Sequence, residues 1–238
     1  MLIRILLAAL LLVSPALPTA QAAPAPEPTT PGEHIIISGG VSLWMWEKWK
    51  AQPHDNWWAN FVRAARIRIQ QIRAAKPDAQ ITWLVYRPSY ISRGRQDNRN
   101  YMSLITSVRD TYNVRLMWFD STSQVVNYLN AGQPRDRVKI ANLEFFGHSN
   151  KACFMFDYSN MVDSGSKTWL HENELKQIKR GIFTRDALVR SWGCHTGESM
   201  SQKFRSATGV PMWGLVGKSQ YLTNELPIPS KASARWVR

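Results

Sequence analysis

Short apolar runs alternate with stretches of helical periodicity between His34 and Val216, and this alternation constrains the fold more than any other feature of the chain. The runs have the length of strands, and the segments between them repeat apolar residues at the spacing of a helix. Strands that alternate with helices form a parallel sheet covered by helices on both faces. The sequence therefore predicts an α/β domain with an open, mostly parallel sheet of about six strands.

The predicted elements follow one another without an internal repeat. The predicted strands are His34–Gly40, Gln80–Tyr86, Val114–Phe119, a run from Val138 that ends at Gly147, Ala187–Trp192 and Val210–Val216. The predicted helices are Asp55–Ile72, Met102–Thr111, a short helix capped by Ser121 or Ser123, Glu172–Lys179 and a helix that begins near Met200 and has its C-cap at Gly209. The polar stretch 89–100 predicts a loop, and segment 151–160 predicts a small hairpin or crossover. The tail 224–238 contains Pro and Ser and predicts no further core element.

The amino terminus has the pattern of a secretory signal peptide. An early charge at Arg4 precedes an apolar core of about a dozen residues, too short to span a bilayer, and Ala20 and Ala22 frame a cleavage site. Residues 1–22 are therefore predicted to be removed, which gives a secreted or periplasmic protein without a transmembrane span. The Pro-rich residues 23–33 predict an extended linker, and 34–238 a single domain.

The chain is strongly basic. Its 30 Lys and Arg residues exceed its 17 Asp and Glu residues, which gives a formal charge of +13 at pH 7. Such an excess attracts anionic polymers or surfaces without sequence specificity, or simply forms a solvated basic surface. Trp44, Trp46 and Trp49 either line a binding groove or pack inside the protein. The lone glycine pair Gly39-Gly40 is too little for a phosphate loop, so no cofactor and no specific nucleic-acid partner are predicted.

Cys194 stands where an apolar run ends and a helix is expected to follow. Thr196 and Gly197 predict a turn, and Met200 begins the helical pattern. A thiol beside the amino end of a helix lies close to unpaired backbone N–H groups, which lower its pKa and favour the nucleophilic thiolate. The position of Cys194 therefore suits covalent chemistry.

A second apolar run ends in the same way, on Gly147 and His148. The carboxyl ends of neighbouring parallel strands lie at one edge of a sheet, where open α/β sheets bind their ligands. His148 and Cys194 are therefore expected to face one crevice. An imidazole can protonate the amine that leaves when a thiolate attacks a carbonyl, and the backbone N–H groups of Ser149 and Cys194 could hold the oxyanion.

One of these two blocks ends in His148 and a small residue, and the other ends in Gly193-Cys194. The blocks resemble those of the caspase-like cysteine peptidases (caspases, gingipains, legumains and separases). The resemblance covers roughly Gln80 to Val216. It implies a caspase-like α/β fold, Cys194 as the nucleophile, His148 as the general acid and base, and a backbone oxyanion donor just after the histidine.

The chain departs from the family pattern in two respects. Ser149 stands where the family usually has glycine, so its side chain could crowd the oxyanion donor. His148 follows the fourth predicted strand and Cys194 the fifth, whereas the family places these residues after the third and fourth. An extra unit at the amino end, His34–Lys76, would account for the difference.

Other roles for the residues around this site remain open. Glu144 lies at an even offset from His148 and either orients it or pairs with a nearby Arg or Lys. His195 is expected to be structural, because its side chain would point away from that of Cys194. A zinc site formed by His148, His195 and Cys194 matches no familiar ligand spacing.

The two cysteines raise a further alternative, because oxidising compartments favour disulfides and Cys153 lies only five residues beyond His148. A Cys153–Cys194 bridge would inactivate the nucleophile, whereas burial of Cys153 would leave two free thiols. We expect two free thiols, because Cys153 lies several residues past the strand end and its element is expected to turn away from the crevice.

Together these patterns predict an exported cysteine peptidase with a Cys–His dyad that acts on peptide or protein substrates. The alternative is a non-catalytic caspase-like module that binds a protein partner or an anionic envelope polymer through a basic, Trp-rich surface. A glutamine-amidotransferase or α/β-hydrolase site is excluded, because Gly193, Cys194 and Gly197 do not have the elbow spacing and no histidine follows His195.

Overall fold

A single seven-stranded sheet forms the centre of the protein. The computed structural model describes residues 26–42, 60–158 and 168–238. Six strands of this sheet are parallel and the seventh is antiparallel, in the order β12-β9-β8-β4-β1-β2-β3. They are β1 (Glu33–Ser38), β2 (Ile81–Tyr86), β3 (Arg115–Phe119), β4 (Ile140–Phe146), β8 (Phe183–Ser191), β9 (Met212–Val216) and β12 (Arg235–Val237). The predicted α/β class with an open, mostly parallel sheet is confirmed.

Two small sheets lie beside the large one. An antiparallel sheet of β5 (His148–Ser149), β6 (Cys153–Met155) and β7 (Trp169–His171) follows β4 directly. A pair formed by β10 (Ser219–Gln220) and β11 (Ile228–Pro229) follows β9. Both small sheets therefore begin where a strand of the large sheet ends, at its carboxyl edge.

Helices cover both faces of the large sheet. They are α1 (Asn60–Ala75), α2 (Arg87–Gln96), α3 (Tyr101–Tyr112), α4 (Thr122–Ala131), a 3₁₀ helix (Glu172–Gln177) and α5 (Met200–Thr208). Because side chains alternate along a strand, β1 sends Ile35 and Ile37 to the core under α4 and α5, and Ile36 to the core under α1, α2 and α3. This double coverage explains why the parallel strands have nearly continuous apolar sequences.

The order of the strands reverses beside β1. From β1 the chain adds β2 and β3 on one side and then β4, β8 and β9 on the other. Ligands of open α/β sheets bind outside the carboxyl ends of the strands, at the point where the order reverses. In this protein that point lies between β1 and β4, and β4 ends two residues before His148.

The predicted loop at 89–100 is wrong for most of its length, because residues Arg87–Gln96 form α2. Pro88 lies in the first helical turn, where its missing N–H is not needed. Tyr90 and Arg93 are buried, and Arg93 donates to the carbonyl of Ser42 over 2.9 Å. Tertiary packing has therefore overridden a polar, Gly-containing sequence with little helical amphipathicity.

The prediction that the tail 224–238 adds no core element is also wrong. Arg235–Val237 form β12, the antiparallel edge strand of the large sheet. Trp236 packs edge-on against Trp192, with ring centroids 5.4 Å apart. A strand of three residues is too short to show an alternating pattern. Its apolar anchor is a single tryptophan.

The predicted linker at 23–33 is not a free tether over its described part. Residues 26–32, here called the amino-terminal arm, lie along the domain. Glu27 forms an ion pair with Arg68, and amides and a hydroxyl of the arm donate to Asp186. These polar contacts leave no mark in the apolar pattern of the sequence.

The amino-terminal unit His34–Lys76 contributes a central strand to the sheet, because β1 is paired with both β2 and β4. β3 is the edge strand beyond β2.

Three sequence predictions fall outside the described residues: the signal peptide, the Trp44–Trp49 cluster and the start of the first helix at Asp55. Among residues 26–42, 60–158 and 168–238, no helix is long and apolar enough to cross a membrane.

Candidate active site

The ends of β4 and β8 bring His148 and Cys194 to equivalent positions. The two strands pair in parallel, with Phe145 opposite Ser191. The Trp192 N–H continues this pairing by donating to the Phe145 carbonyl over 2.9 Å. Three residues further along each strand are His148 and Cys194. Both residues therefore lie at the same edge of the sheet, as the sequence predicts.

The loops after β4 and β8 are in direct contact. A Cβ atom on Gly193 would lie 2.1 Å from the Ser149 hydroxyl oxygen and 3.1 Å from the Gly147 carbonyl oxygen. Ser149 Oγ donates to the Cys194 carbonyl over 2.7 Å. Glycine at 193 is therefore required by a close approach of the two loops, and the Ser149 hydroxyl is directed at the loop that carries Cys194.

Aromatic rings fix the orientation of His148. Its imidazole packs edge-on against Phe61, with centroids 5.0 Å apart, and stacks on Tyr158 at 4.6 Å. Ser42 Oγ lies 3.5 Å from His148 Nε2. His148 is half-buried and Ser42 is fully buried. The ring is therefore held between two aromatic neighbours, with a buried hydroxyl at one nitrogen.

The Cys194 sulfur has two polar neighbours, both from Ser219. The Ser219 N–H points at Cys194 Sγ over 3.4 Å, and the Ser219 hydroxyl lies 3.5 Å from the same sulfur. Ser219 belongs to β10, which follows the carboxyl end of β9. The Ser219 N–H donates to the sulfur, and in the second contact either the thiol or the hydroxyl is the donor.

The expected tight connection from strand to helix is wrong. β8 ends at Ser191 and α5 begins only at Met200, with turns over 193–199. The field of a helix terminus acts within its first turn, so Cys194 lies too far from Met200 to depend on it. The Ser219 donors supply the polar environment that the sequence attributed to the helix.

Backbone N–H groups suitable for an oxyanion lie on both sides of the site. In the antiparallel pairing of β5 with β6, Asn150 donates to the Cys153 carbonyl, so the next pair, Ser149 with Phe154, is of the non-hydrogen-bonded kind. The Ser149 N–H therefore points away from β6. Within the described part of the chain, the Cys194 N–H donates to no acceptor. Both predicted oxyanion donors are thus directed outside their own strand ladders.

Tyr221 links the two strand ends. Its hydroxyl oxygen accepts from the Gly147 N–H over 3.2 Å, and its O–H donates to the Trp192 carbonyl over 3.4 Å. Its ring packs edge-on against Phe61, which also contacts His148. A single tyrosine therefore holds the chain just before His148 and the chain just before Cys194.

Glu144 does not orient His148 in this structure, because other groups occupy both carboxylate oxygens. Oε1 accepts from Arg68 Nε and from Asn142 Nδ2, and Oε2 accepts from Trp192 Nε1 over 2.6 Å. Glu144 is fully buried. Its pairing with arginine was the other interpretation of the sequence, and that interpretation describes the observed contacts.

His195 takes the structural position expected for it. Its backbone has a φ of +63°, and its Nδ1 lies 2.5 Å from Glu198 Oε1. Its N–H donates to the Gly217 carbonyl over 2.7 Å. Hydrogen bonds of the imidazole and of the backbone therefore anchor the turn after Cys194. Among the described residues, no group of three His, Cys, Asp or Glu side chains could hold a metal ion, so the zinc alternative gains no support.

The two thiols lie in different elements, Cys153 in a strand of a small sheet and Cys194 in the loop after β8. Cys153 belongs to β6, where it pairs with His171 of β7, and neither cysteine is part of a disulfide. Burial raises the pKa of the Cys153 thiol, and the carboxylates of Glu172 and Glu174 raise it further. Cys153 is therefore the less reactive type of thiol at neutral pH.

Sequence reasoning missed four groups at this site: Ser42, Tyr158, Ser219 and Tyr221. They lie in segments that follow strands but carry no periodic pattern of their own. Ser219 was the one within reach of sequence reasoning, because the carboxyl end of the β9 strand meets the same sheet edge as β4 and β8.

No family model, curated protein or solved structure matches the chain.

Proposed function

We propose that the protein is an exported cysteine peptidase in which Cys194 is the nucleophile and His148 the general acid and base. The observation that carries this proposal is the parallel pairing of β4 and β8, whose last pair, Phe145 with Ser191, lies three residues before His148 and Cys194. The two Ser219 donors at the Cys194 sulfur and the half-buried, ring-packed imidazole support it. The caspase-like resemblance of the two sequence blocks is consistent with the same roles.

The proposed reaction begins with attack of the Cys194 thiolate on the carbonyl carbon of a peptide bond. The C–S bond forms as the carbonyl π electrons move to oxygen, and the N–H groups of Cys194 and Ser149 stabilise this oxyanion. Collapse of the intermediate breaks the C–N bond, and the His148 imidazolium gives its proton to the leaving amine. This leaves a thioester on Cys194 and a neutral imidazole.

The second half of the reaction returns the enzyme to its starting state. His148 takes a proton from water as the water oxygen attacks the thioester, and the C–S bond then breaks to release the acid and the Cys194 thiolate. The Ser42 hydroxyl, 3.5 Å from His148 Nε2, helps to hold the imidazole in place. The Ser219 donors stabilise the thiolate before attack and after release.

The direct test uses the chain from residue 23 and a mixed library of peptides. We expect cleavage by the wild-type chain, none by Cys194→Ala, and unchanged cleavage by Cys153→Ala, which removes the other thiol as a matched control. Cleavage that persists in Cys194→Ala would rule out the proposed nucleophile. Amino-terminal sequencing of the exported protein tests the cleavage site after Ala22.

The alternative function is a non-catalytic module that binds an anionic envelope polymer or a protein partner. The excess of 30 basic over 17 acidic residues favours it, because basic surfaces bind anionic polymers through salt-dependent attraction. Binding of an anionic polymer that is weakened by salt and unaffected by Cys194→Ala, together with no cleavage by the wild-type chain, would favour this function over the peptidase.

A further inference from the structure

A cluster of buried charges lies beneath the candidate site, on the face of the sheet covered by α1. Arg68 of α1, Glu144 of β4 and Arg190 of β8 have 4%, 0% and 5% of their surfaces exposed. Such groups are almost never this deeply buried unless they are paired. The proposed reaction uses none of them, so their burial calls for another explanation.

The amino-terminal arm completes the charge balance of this cluster. Glu144 alone faces two guanidinium groups, those of Arg68 and Arg190. Arg68 Nη2 also contacts both carboxylate oxygens of Glu27 at 2.7 Å. The cluster therefore holds two positive and two negative charges only when the arm is docked. Arg68 is buried whereas 44% of the Glu27 side chain is exposed, so solvent screens part of this pair and its loss leaves the buried guanidinium with Glu144 alone.

The ionised state of Glu144 follows from these neighbours. Burial alone would raise the pKa of its carboxyl group, but Arg68 and Arg190, with the Asn142 amide, lower it to about 2. Glu144 is therefore a carboxylate at neutral pH and accepts strong, charge-assisted hydrogen bonds.

The contacts of the cluster converge on Trp192, two residues before Cys194. The Trp192 indole N–H donates to Glu144 Oε2 over 2.6 Å. The Arg190 guanidinium lies over its ring at 4.8 Å, and Phe146 stacks against it at 5.6 Å. Trp192 is thus the last deeply buried side chain before Gly193 and the nucleophile.

We propose that Glu27, Arg68, Glu144 and Trp192 form a relay that positions Cys194, so that the docked arm is part of the active unit. Glu144 and Arg68 are positioning residues in this scheme, because they act through the Trp192 side chain and touch no reacting atom. The inference rests on the proposed role of Cys194 as a nucleophile. It adds a consequence: proteolytic trimming past Glu27 lowers the reactivity of the site.

The relay affects reactivity through the Ser219 contacts. A shift of Trp192 moves Gly193 and Cys194 relative to β10, which lengthens the distances from the Ser219 N–H and O–H to the sulfur. The sulfur then loses the polar contacts that hold it in one position, and Cys194 reacts more slowly. Cys153 lies in β6, outside the relay, and serves as an internal reference.

The test measures the alkylation rates of both thiols by iodoacetamide at pH 7, site by site, by mass spectrometry of the chain from residue 23. In Trp192→Phe, which keeps the aromatic ring but loses the indole N–H, the Cys194 rate should fall about ten-fold, as expected for one lost hydrogen bond to a charged group. Glu27→Gln should also lower the Cys194 rate, and by a smaller factor because the Glu27 side chain is partly exposed. The Cys153 rate should not change in either variant.

Asp110→Asn is the matched control, because it also neutralises a carboxylate paired with an arginine, in this case the exposed Arg109. It should leave both alkylation rates unchanged. The melting temperature of each variant shows how far the fold is affected. The proposal is overturned if a variant has a lower melting temperature but keeps the wild-type ratio of Cys194 to Cys153 alkylation rates. That result would show that the cluster stabilises the fold without affecting Cys194.

The same measurement separates this inference from the proposed function. If the wild-type chain cleaves no peptide but Cys194 reactivity still depends on Glu27 and Trp192, the peptidase proposal fails and the relay stands. If cleavage occurs and Trp192→Phe and Glu27→Gln retain wild-type kcat, KM and alkylation rates, the relay fails and the peptidase stands.

Discussion

At the scale of single residues, His34 is the clearest source of pH-dependent stability. Burial on β1, together with the nearby charges of Lys76 and Arg68, lowers the pKa of its imidazole to about 4. The carboxylates of Glu27 and Glu144 oppose part of this shift. The unfolded chain therefore binds a proton near pH 6.5 that the folded chain accepts only near pH 4. The contribution of the neutral His34 to the free energy of unfolding is complete above pH 6.5, and it is lost as the pH falls from 6.5 towards 4.

We expect His34→Gln to remove most of this pH dependence. The contribution of His34 is on the order of 3 kcal/mol between the two limits. Urea unfolding at pH 7 and pH 5 checks the expectation. Glu144 and Asp186, whose pKa values are lowered, lose their contributions as the pH falls through and below the ordinary carboxylate range, so they change little between pH 7 and pH 5. An equal pH dependence in wild type and variant would contradict the assignment to His34.

Gly193 offers a second test at the residue scale. Its missing Cβ leaves room for Ser149, whose Oγ and Cβ would lie 2.1 and 2.8 Å from that atom. Gly193→Ala should destabilise the fold by about 1–3 kcal/mol, as overpacking usually does, and should abolish peptide cleavage. Adding Ser149→Gly removes both clashing atoms and should restore much of the lost stability. A double variant as unstable as the sum of the two single variants would show that this contact does not cause the strain.

At the scale of elements, the arm is held to the domain by contacts that can be broken singly. Asp186 accepts hydrogen bonds from the Thr29 and Thr30 amides and from the Thr29 hydroxyl, and bonds to these two residues lower the pKa of its carboxyl group. Asp186→Asn should weaken this docking and speed protease cleavage within residues 26–32. Limited proteolysis followed by mass analysis measures that rate. An unchanged rate would mean that Glu27 and Pro28 hold the arm without Asp186.

The elements also show where the sequence is informative. The six parallel strands were predictable, because double coverage by helices makes each strand an apolar run that stands out from its surroundings. α2 and β12 were not predictable. α2 owes its helix to buried Tyr90 and Arg93 in a polar sequence, and β12 is a three-residue strand anchored by Trp236.

At the scale of the whole molecule, the strand order determines which parts of the site could be foreseen. The placement of His148 and Cys194 at one edge of the sheet follows from two parallel strands that end there, and a sequence pattern can reveal such strands. Ser42, Ser219 and Tyr221 reach the same edge from connecting segments, whose paths depend on tertiary contacts. The role of Glu144 was open in the sequence because Arg68 lies 76 residues away along the chain.

We propose that Cys194 is a reactive thiol that forms no disulfide with Cys153, and site-resolved alkylation of the native, unreduced protein is the decisive test. Iodoacetamide is added at a series of pH values, and the rates at Cys194 and Cys153 are read by mass spectrometry. We predict that both thiols are free and that Cys194 reacts faster at every pH below the normal thiol range, because its neighbours are donors while burial and acidic groups raise the pKa of Cys153. Protein that takes up no alkyl group until it is reduced, or Cys153 reacting as fast as Cys194, would contradict the account.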